Sequence, residues 1–589
     1  MSIDAEQNAH GLADDLFWRT PLGVTRHYRQ GRFGQLHYRL AKPRQSSEQL
    51  IEKTPLLCLH PTANSSRIYN QLLAEMGNDR LAIAIDTPGF GLSDPPPFQP
   101  TIADLSACIA EFISELGEEF NFKQVDLFGY HSGSKIAVLL AQQQPELVRR
   151  LVMVSAPIYT SEELIEEQKL LTTPTPNIWL TNGDVLKSHW QQRWNNRDEL
   201  TSAWYVQREV AEGLDNLENT PKFNLAAFEL QFDQQLPLIE HPLLVICPGD
   251  EFWLATLKAK PFIRNGKLIE RQNWSSGFLD VRTKQCAVLL REFLDGSAAD
   301  RGLNTKLLPA PPAKPARSTQ LLVRRGFHDG PYGALHYRLA NPPTDSNLQQ
   351  PRRPIVLLHM SPNSSRVFDA LVISLSATRS VLALDTPGFG ESEPPMQPIG
   401  IEQFAATTLD LIQALEFDEV DVLGYHTGSM TAIELALIAP DRIKHVVQIS
   451  SPIYTPEEQL AASQKYRAKE LQADGSHLVA AWQNLQKFYN ADIPRTLLGR
   501  NFIASLKGGP MSHWGHQAAF IYPLAAKLPQ VKQPVLVINP EDDLVDKTRR
   551  APQLLQQGQL HELPGRAHGF MDQITDEFTL LLAEFLDKS

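Results

Sequence analysis

Short apolar runs alternate along the chain with stretches whose apolar residues recur at helical spacing. In the second half these runs begin at Pro354, Ser380, Val420, His445 and Pro534, and they read PIVLLH, SVLALD, VDVLG, HVVQIS and PVLVIN. Near-continuous apolar runs are typical of strands that are buried on both faces. Their alternation with helical segments such as MTAIELALIAP predicts βαβ units, and therefore an α/β fold with a mostly parallel, doubly wound sheet.

A long internal repeat determines the predicted architecture. GRFGQLHYRLAKP from Gly31 returns as GPYGALHYRLANP from Gly330, and GYHSGS from Gly129 returns as GYHTGS from Gly424. The motif IDTPGFGLSDPP likewise returns as LDTPGFGESEPP, in the same order along the chain. The repeating unit is far longer than the roughly 20–50 residues of a solenoid repeat. The pattern therefore predicts a duplicated domain, present in two tandem copies.

The domain boundaries follow from the repeat and from composition. The first copy is predicted over residues 1–296, with a helical lid insertion at about 157–236. A Pro- and Ala-rich segment, 297–320, is predicted to be the linker, because this composition favours an extended chain. The second copy is predicted over 321–589, and its lid at about 452–528 is rich in aromatic residues.

Composition narrows the choice of partners and compartment. The formal net charge of −12 argues against a nucleic acid or an anionic membrane as the main partner. No run approaches the roughly 18 apolar residues of a membrane helix, and the first residues show no signal-peptide pattern. Four cysteines form no paired motif and are expected to be buried, reduced thiols: Cys58, Cys108, Cys247 and Cys286. We expect a cytoplasmic protein that acts on a small molecule; the oligomeric state stays open.

Five landmarks of the second half occur in an order that resembles the α/β-hydrolase superfamily. They are HMSP from His359, DTPGFGES from Asp385, the strand–turn–helix sequence GYHTG from Gly424, an acid at Asp543 and a final histidine, His568. The resemblance covers nearly all of both halves. It implies the hydrolase fold in each copy, and it is weaker evidence for the reaction because this fold hosts many chemistries.

The nucleophile turn departs from the G-x-S-x-G pattern of the superfamily. In that pattern small residues lie two positions before and two positions after the nucleophile. Gly424 and Gly428 take these positions if His426 is central, whereas centring the motif on Thr427 would put a tyrosine where a small residue belongs. We therefore predict histidine at the nucleophile position, His426 in the second copy and His131 in the first.

The remaining catalytic positions differ between the copies. The resemblance implies that Asp543 is the acid and His568 the base of the second copy. Alignment of PLLVICPGDE with PVLVINPEDD puts Glu251 against Asp543, and alignment of GFLDV with GFMDQ puts Ser276 against His568. The first copy therefore lacks the base, and we predict that it is degenerate.

Two further sets of residues complete the predicted site. The backbone N–H groups of Ser361 and Thr427 are expected to form an oxyanion hole. His513, Trp514 and His516 belong to the lid, where they either line the substrate entrance or simply cover the surface.

Three kinds of chemistry are compatible with His426. It can attack an acyl group itself, it can act with His568 as an acid–base pair in C–C cleavage or isomerisation, or it can bind a metal ion together with Asp543 and His568. A non-catalytic binding pocket, in a tandem pseudoenzyme, is the alternative from a different class. No phosphate-binding or dinucleotide motif precedes a suitable helix, so no nucleotide or flavin cofactor is expected. The working prediction is a cofactor-independent, metal-free enzyme for a small ester, thioester or diketone.

Overall fold

The computed structural model describes residues 17–43, 53–172, 178–179, 182–296, 323–343 and 352–588. The predicted linker, 297–320, lies outside the described residues. The chain divides into two compact units. The N-terminal unit lies within residues 20–177 and 188–319, and the C-terminal unit lies within 320–589 together with 1–19 and 178–187.

Each unit contains one eight-stranded sheet. The strands of the N-terminal unit are β1 (Val24–Gly31), β2 (Gly34–Ala41), β3 (Leu56–Leu59), β4 (Ala82–Ile85), β5 (Val125–Tyr130), β6 (Val148–Val154), β7 (Leu243–Pro248) and β8 (Gly266–Arg271). Those of the C-terminal unit are β9 (Val323–Gly330), β10 (Gly333–Ala340), β11 (Arg352–Leu358), β12 (Arg379–Leu384), β13 (Val420–Tyr425), β14 (Ile443–Ile449), β15 (Val535–Pro540) and β16 (Gly558–Leu563).

The two sheets have the same strand order. It is β1-β2-β4-β3-β5-β6-β7-β8 in one unit and β9-β10-β12-β11-β13-β14-β15-β16 in the other. The first two strands of each order pair antiparallel with their neighbours, and all later pairs are parallel. The predicted α/β class with two mostly parallel sheets is confirmed.

Helices connect the strands and cover both faces of each sheet. In the N-terminal unit they are α1 (Asn70–Met76), α2 (Ile102–Phe120), α3 (Ser132–Gln143), α4 (Ser161–Thr172), α6 (Ala203–Asp215), α7 (Thr220–Glu229), α8 (Phe232–Gln235), α9 (Trp253–Leu257), α10 (Phe278–Val281) and α11 (Thr283–Leu294), and α5 (Asp184–Asn196) begins within 178–187. In the C-terminal unit they are α12 (Asp369–Ser376), α13 (Ile401–Ala414), α14 (Thr427–Ile438), α15 (Pro456–Lys465), α16 (Ser476–Gln486), α17 (Arg495–Lys507), α18 (Trp514–Ile521), α19 (Leu524–Lys527), α20 (Val545–Thr548), α21 (Phe570–Gln573) and α22 (Thr575–Leu586).

The lid intervals predicted from the sequence contain several helices joined by loops. The interval of about 452–528 contains α15 to α19, between β14 and β15. The interval of about 157–236 contains α4 to α8, and its residues 173–177 and 180–181 lie outside the description. Short 3₁₀ turns complete the chain at Ser66–Tyr69, Pro145–Leu147, Leu236–Leu238, Lys260–Phe262, Ser365–Phe368, Gly509–Met511, Leu528–Gln530 and Pro552–Leu554.

The apolar strand runs are explained by burial on both sides of the sheet. Along β11, Val356 and Leu358 belong to one buried apolar cluster, whereas Ile355 and Leu357 belong to the other. Successive side chains of a strand point to opposite faces, so a strand between two helical layers needs apolar residues at every position. Burial of these apolar side chains therefore stabilises the sheet. Polar and catalytic side chains are expected at the ends of the strands, outside the apolar layers.

All four cysteines are buried in the N-terminal unit and form no disulfide. Within the described part of the chain, the helices are too short or too polar to cross a membrane.

Candidate functional site

The turn between β13 and α14 carries His426 at its tip. His426 has a φ of 49° and a ψ of −111°, a conformation that side chains with a Cβ rarely adopt. A Cβ at Gly428 would overlap the carbonyl oxygen of Leu358, and one at Gly424 would overlap Gly428. The two glycines therefore allow the strand and the helix to approach closely enough for this turn. Such strain is a feature of functional turns.

The first copy has the same turn. His131, between β5 and α3, has a φ of 49° and a ψ of −110°. The backbone N–H of His131 donates to Val154 at 2.8 Å, and that of His426 donates to Ile449 at 3.0 Å. Both copies thus place a histidine at the tip of the turn between a strand and the helix that follows it.

His426 is paired with Asp542, a residue that the sequence analysis did not select. The two side chains are 3.1 Å apart, from Nε2 to Oδ2, and the Asp542 side chain is fully buried. Ser450 Oγ donates to the same carboxylate at 2.5 Å, and the backbone N–H of Leu544 donates at 2.8 Å. Asp542 is therefore held in one orientation by two donors besides the histidine.

His568 is paired with Asp543. Its Nε2 lies 3.1 Å from Asp543 Oδ1, and its Nδ1 lies 3.2 Å from the hydroxyl of Tyr425. The centres of the His426 and His568 rings are 5.0 Å apart. The C-terminal unit thus holds two imidazoles side by side, each with its own carboxylate.

The hydrogen bonds between the histidines and the aspartates shift the pKa values of Asp542, Asp543 and His426. Burial disfavours the charged carboxylates, but the hydrogen bond from His426 holds the pKa of Asp542 below its usual range. The bond from His568 does the same, more strongly, for the pKa of Asp543. Burial opposes protonation of His426, yet the hydrogen bond and charge of Asp542 raise its pKa above the ordinary value. Both carboxylates are therefore ionised at neutral pH.

The four side chains could also bind a metal ion. One ligand atom from each of His426, Asp542, Asp543 and His568 lies within 4.8 Å of the others. The side chain of Asp543 is 40% exposed and that of His426 is 17% exposed, so the cluster is open to small solutes.

The predicted oxyanion residues lie next to each other. The backbone N–H of Ser361 is 3.4 Å from Thr427 Oγ1, and Thr427 is the first residue of α14. Gly515 of the lid packs closely on Ser361. A Cβ added at Gly515 would overlap the Ser361 hydroxyl. Met360, the residue before Ser361, packs against one of the apolar clusters of the sheet.

The three lid residues occupy different surroundings. His516 stacks on Tyr466 with ring centres 4.2 Å apart, and burial, followed by the charge of His426, lowers its pKa to about 4. His513, the N-cap of α18, has its Nδ1 3.1 Å from the carbonyl of Pro510 in the preceding 3₁₀ turn. The ring of Trp514 is 6.3 Å from that of His513. The charge of His426 therefore acts on His516 across the site.

The equivalent residues of the first copy are arranged differently. His131 stacks on Phe252 with ring centres 4.1 Å apart, and burial, reinforced by Lys135, lowers the pKa of His131 to about 3. Glu251 accepts a hydrogen bond from Asn196 at 2.7 Å, and Ser276 bonds to the hydroxyl of Tyr205 at 3.1 Å. A cavity of about 300 Å³ adjoins these groups, lined among others by His131, Arg193, Glu209, Asp250, Glu251 and Phe252.

Sequence reasoning missed Asp542, Ser450 and Tyr425 as parts of the site. The one signal for Asp542 was the doublet Asp542-Asp543, whose first member recurs as Asp250 in the first copy. Spacing shows that both acids follow β15, but only the geometry shows that they turn to different histidines.

Comparison with known proteins points to one family. The family described as alpha/beta hydrolase fold matches residues 54–236 and 353–571. Serine hydrolase BPHL of Mus musculus is 26% identical over 214 residues, which cover 35% of this chain and 69% of that protein. A pimeloyl-[acyl-carrier protein] methyl ester esterase of Nitrosomonas europaea is 29% identical over 206 residues, 32% of this chain and 77% of the esterase.

Solved structures are also similar to parts of this chain. The enol-lactonase of Burkholderia xenovorans LB400 is 24% identical, with a TM-score of 0.38 and coverage of 44% of this chain and all of the lactonase.

Proposed function

The chain belongs to the α/β-hydrolase fold family, with the family's domain present twice, and on this basis we propose that the second copy hydrolyses small carboxylic esters. The predicted enzyme class, an α/β-fold hydrolase, is confirmed at the level of the family. The substrate and the residues are the new part of the proposal. The methyl ester esterase among the relatives supports an ester substrate, and the serine hydrolase supports hydrolysis.

The observation that carries the proposal is the pair of facing imidazole–carboxylate units. In a Ser-His-Asp triad the base activates a hydroxyl on the turn. Here the residue on the turn is His426, and its Nε2 is hydrogen-bonded to Asp542. We therefore assign the attack to a water molecule held between His426 and His568, without an acyl-enzyme.

In the proposed reaction, water is the nucleophile and the alcohol is the leaving group. The water oxygen bonds to the ester carbonyl carbon, the cluster accepts the water proton, and the C–O bond to the alcohol then breaks with return of a proton to the leaving oxygen. The N–H groups of Ser361 and Thr427 are the proposed donors to the carbonyl oxygen as negative charge develops. The products are a carboxylic acid and an alcohol.

The test is hydrolysis of a series of p-nitrophenyl esters of increasing acyl length at neutral pH. We expect His426→Ala and His568→Ala to lower kcat/KM by about 10²–10⁴-fold, the usual contribution of a positioned acid or base. His131→Ala is the matched control, since it removes the same side chain from the first copy. The control is expected to keep the full wild-type rate.

Free imidazole slowly cleaves activated esters, so the comparison between variants is decisive rather than the wild-type rate alone. Equal, slow rates for wild type and all three variants would rule out ester hydrolysis in this site. C–C bond cleavage and ligand binding would then become the functions to examine.

A further inference from the structure

The second-copy cluster has the donor set of a metal site. Two imidazole nitrogens and two carboxylate oxygens, from His426, His568, Asp542 and Asp543, converge within 4.8 Å. Mixed nitrogen and oxygen donors suit Zn²⁺ and neighbouring first-row ions such as Mn²⁺ and Fe²⁺. We propose that these four residues bind one divalent transition-metal ion.

The distances between donors fit this assignment. A tetrahedral ion with bonds of about 2.0–2.1 Å places its ligand atoms roughly 3.3 Å apart. The His426–Asp542 and His568–Asp543 pairs are each separated by 3.1 Å. The wider separations, up to 4.8 Å, require the two pairs to move towards each other when the ion binds.

Outer contacts orient the donors as metal ligands are usually oriented. A ligating histidine commonly uses its second ring nitrogen for a hydrogen bond, which fixes the ring. Nδ1 of His568 lies 3.2 Å from the Tyr425 hydroxyl, which leaves Nε2 for the cluster. Ser450 and the N–H of Leu544 fix Asp542 in the same way.

The negative charge of the two carboxylates favours the binding of a cation by the cluster. Two carboxylates close to each other carry two negative charges when ionised, and their repulsion rises as they are removed from water. The neighbouring imidazoles are neutral when their ring nitrogens act as ligands. A divalent ion would balance the carboxylates, and the 40% exposed side chain of Asp543 leaves a route for its entry.

The first copy lacks this arrangement at the same place in the fold. Ser276 replaces one imidazole, and Phe252 stacks on the other, His131. Asp250 is bonded to Ser155, as Asp542 is to Ser450, but Glu251 is bonded to Asn196. The first copy therefore serves as an internal control that shares the turn and the sheet but not the donor set.

A bound ion would deepen the proposed function by lowering the pKa of a coordinated water, which then attacks the ester. This catalytic part rests on the proposed hydrolase function, whereas metal binding itself does not. The protein's contribution is to hold the ion beside the oxyanion donors Ser361 and Thr427.

The test uses the full-length protein, freed of metal with a chelator and of any affinity tag. Zn²⁺ and Mn²⁺ are titrated separately by calorimetry, and bound metal is counted by elemental analysis. We expect one equivalent of at least one ion, with an affinity at least 100-fold weaker in His568→Ala and in Asp542→Asn. Circular dichroism identifies variants that fail to fold. If His568→Ala does not fold, His568→Gln is used in its place because glutamine is closer in size to histidine.

His131→Ala again provides the control, and it is expected to bind metal like the wild type. Binding that is the same in wild type, His568→Gln and Asp542→Asn, or no binding of either ion, would overturn the metal site.

Ester hydrolysis by the metal-free and reloaded protein separates the two proposals. If activity is lost when the ion is removed and returns when the ion is added back, the result supports both the metal site and the hydrolase proposal. Full activity without any bound metal overturns the catalytic role of the ion and leaves the hydrolase proposal standing, and the metal site is then decided by the titrations alone. One bound ion without ester hydrolysis overturns the hydrolase proposal and leaves the metal site standing.

Discussion

The two copies share a scaffold and differ in the pocket that the scaffold supports. The turns at His131 and His426 have the same φ and nearly the same ψ, and the strand orders of the two sheets are identical. Yet His426 bonds to a carboxylate, whereas His131 stacks on Phe252. The backbone of the turn is thus maintained independently of the chemistry at its tip.

The difference also shows how strongly one neighbour controls an imidazole. Burial acts on both histidines, and it lowers the pKa of His131 to about 3. At His426 the hydrogen bond and charge of Asp542 outweigh burial, so the pKa rises instead. A buried histidine is therefore neutral by default, and it is the adjacent carboxylate that makes its protonated form accessible.

The largest expected effect tests whether the scaffolds are equivalent. Gly428→Ala and Gly133→Ala each add a Cβ that overlaps a strand carbonyl, that of Leu358 and that of Leu59. Because backbone cannot give way cheaply, we expect each variant to lose more than about 3 kcal/mol of stability. Urea denaturation of both variants measures this. A loss in only one copy would show that the two turns are not equivalent.

The second prediction concerns the carboxylate that sequence reasoning missed. Asp542→Asn removes the charge that stabilises His426, so we expect kcat/KM for p-nitrophenyl esters to fall about 100-fold. The matched change in the first copy, Asp250→Asn, is expected to leave the rate within twofold of wild type. Similar losses in both variants would mean that the first copy takes part in the reaction.

The sequence was sufficient for the sheet and insufficient for the site. Apolar runs such as PIVLLH and VDVLG predict buried strands because burial on both faces demands apolar residues, and β11 and β13 lie there. Glycine spacing places His426 at the turn for an equally local reason. The His426–Asp542 pair joins residues over 100 positions apart, and no local pattern encodes which of two adjacent acids faces which histidine.

The third prediction uses pH to examine the first copy. The pKa of His131 is lowered to about 3 in the fold, against about 6.5 when unfolded, so stability from its neutral form is present above pH 6.5. This stability is lost as the pH falls towards 3. We expect His131→Gln to reduce the loss of stability between pH 7 and pH 5 by about 1–2 kcal/mol.

Urea midpoints at the two pH values give the measurement, and His131→Gln should differ from wild type mainly at pH 5. Parallel pH dependence in the wild-type protein and the variant would show that His131 has the same pKa in the folded and unfolded states.

The smallest expected effect belongs to Tyr425. Tyr425→Phe removes the hydroxyl that bonds to His568 Nδ1, and a single such bond contributes about 0.5–1.5 kcal/mol. We expect kcat/KM to fall about 2–10-fold, whereas Tyr130→Phe in the first copy should cause no change. An unaltered rate in Tyr425→Phe would show that Asp543 alone orients His568.

The four buried cysteines give the molecule a property that its duplicated sheets do not suggest. They all lie in the N-terminal unit, so the C-terminal unit contributes no thiol at all. A thiol-reactive probe therefore labels the chain only when the N-terminal unit opens, because burial protects every target until then. The rate of labelling therefore measures the unfolding of the first copy alone, because the second copy has no thiol that could react.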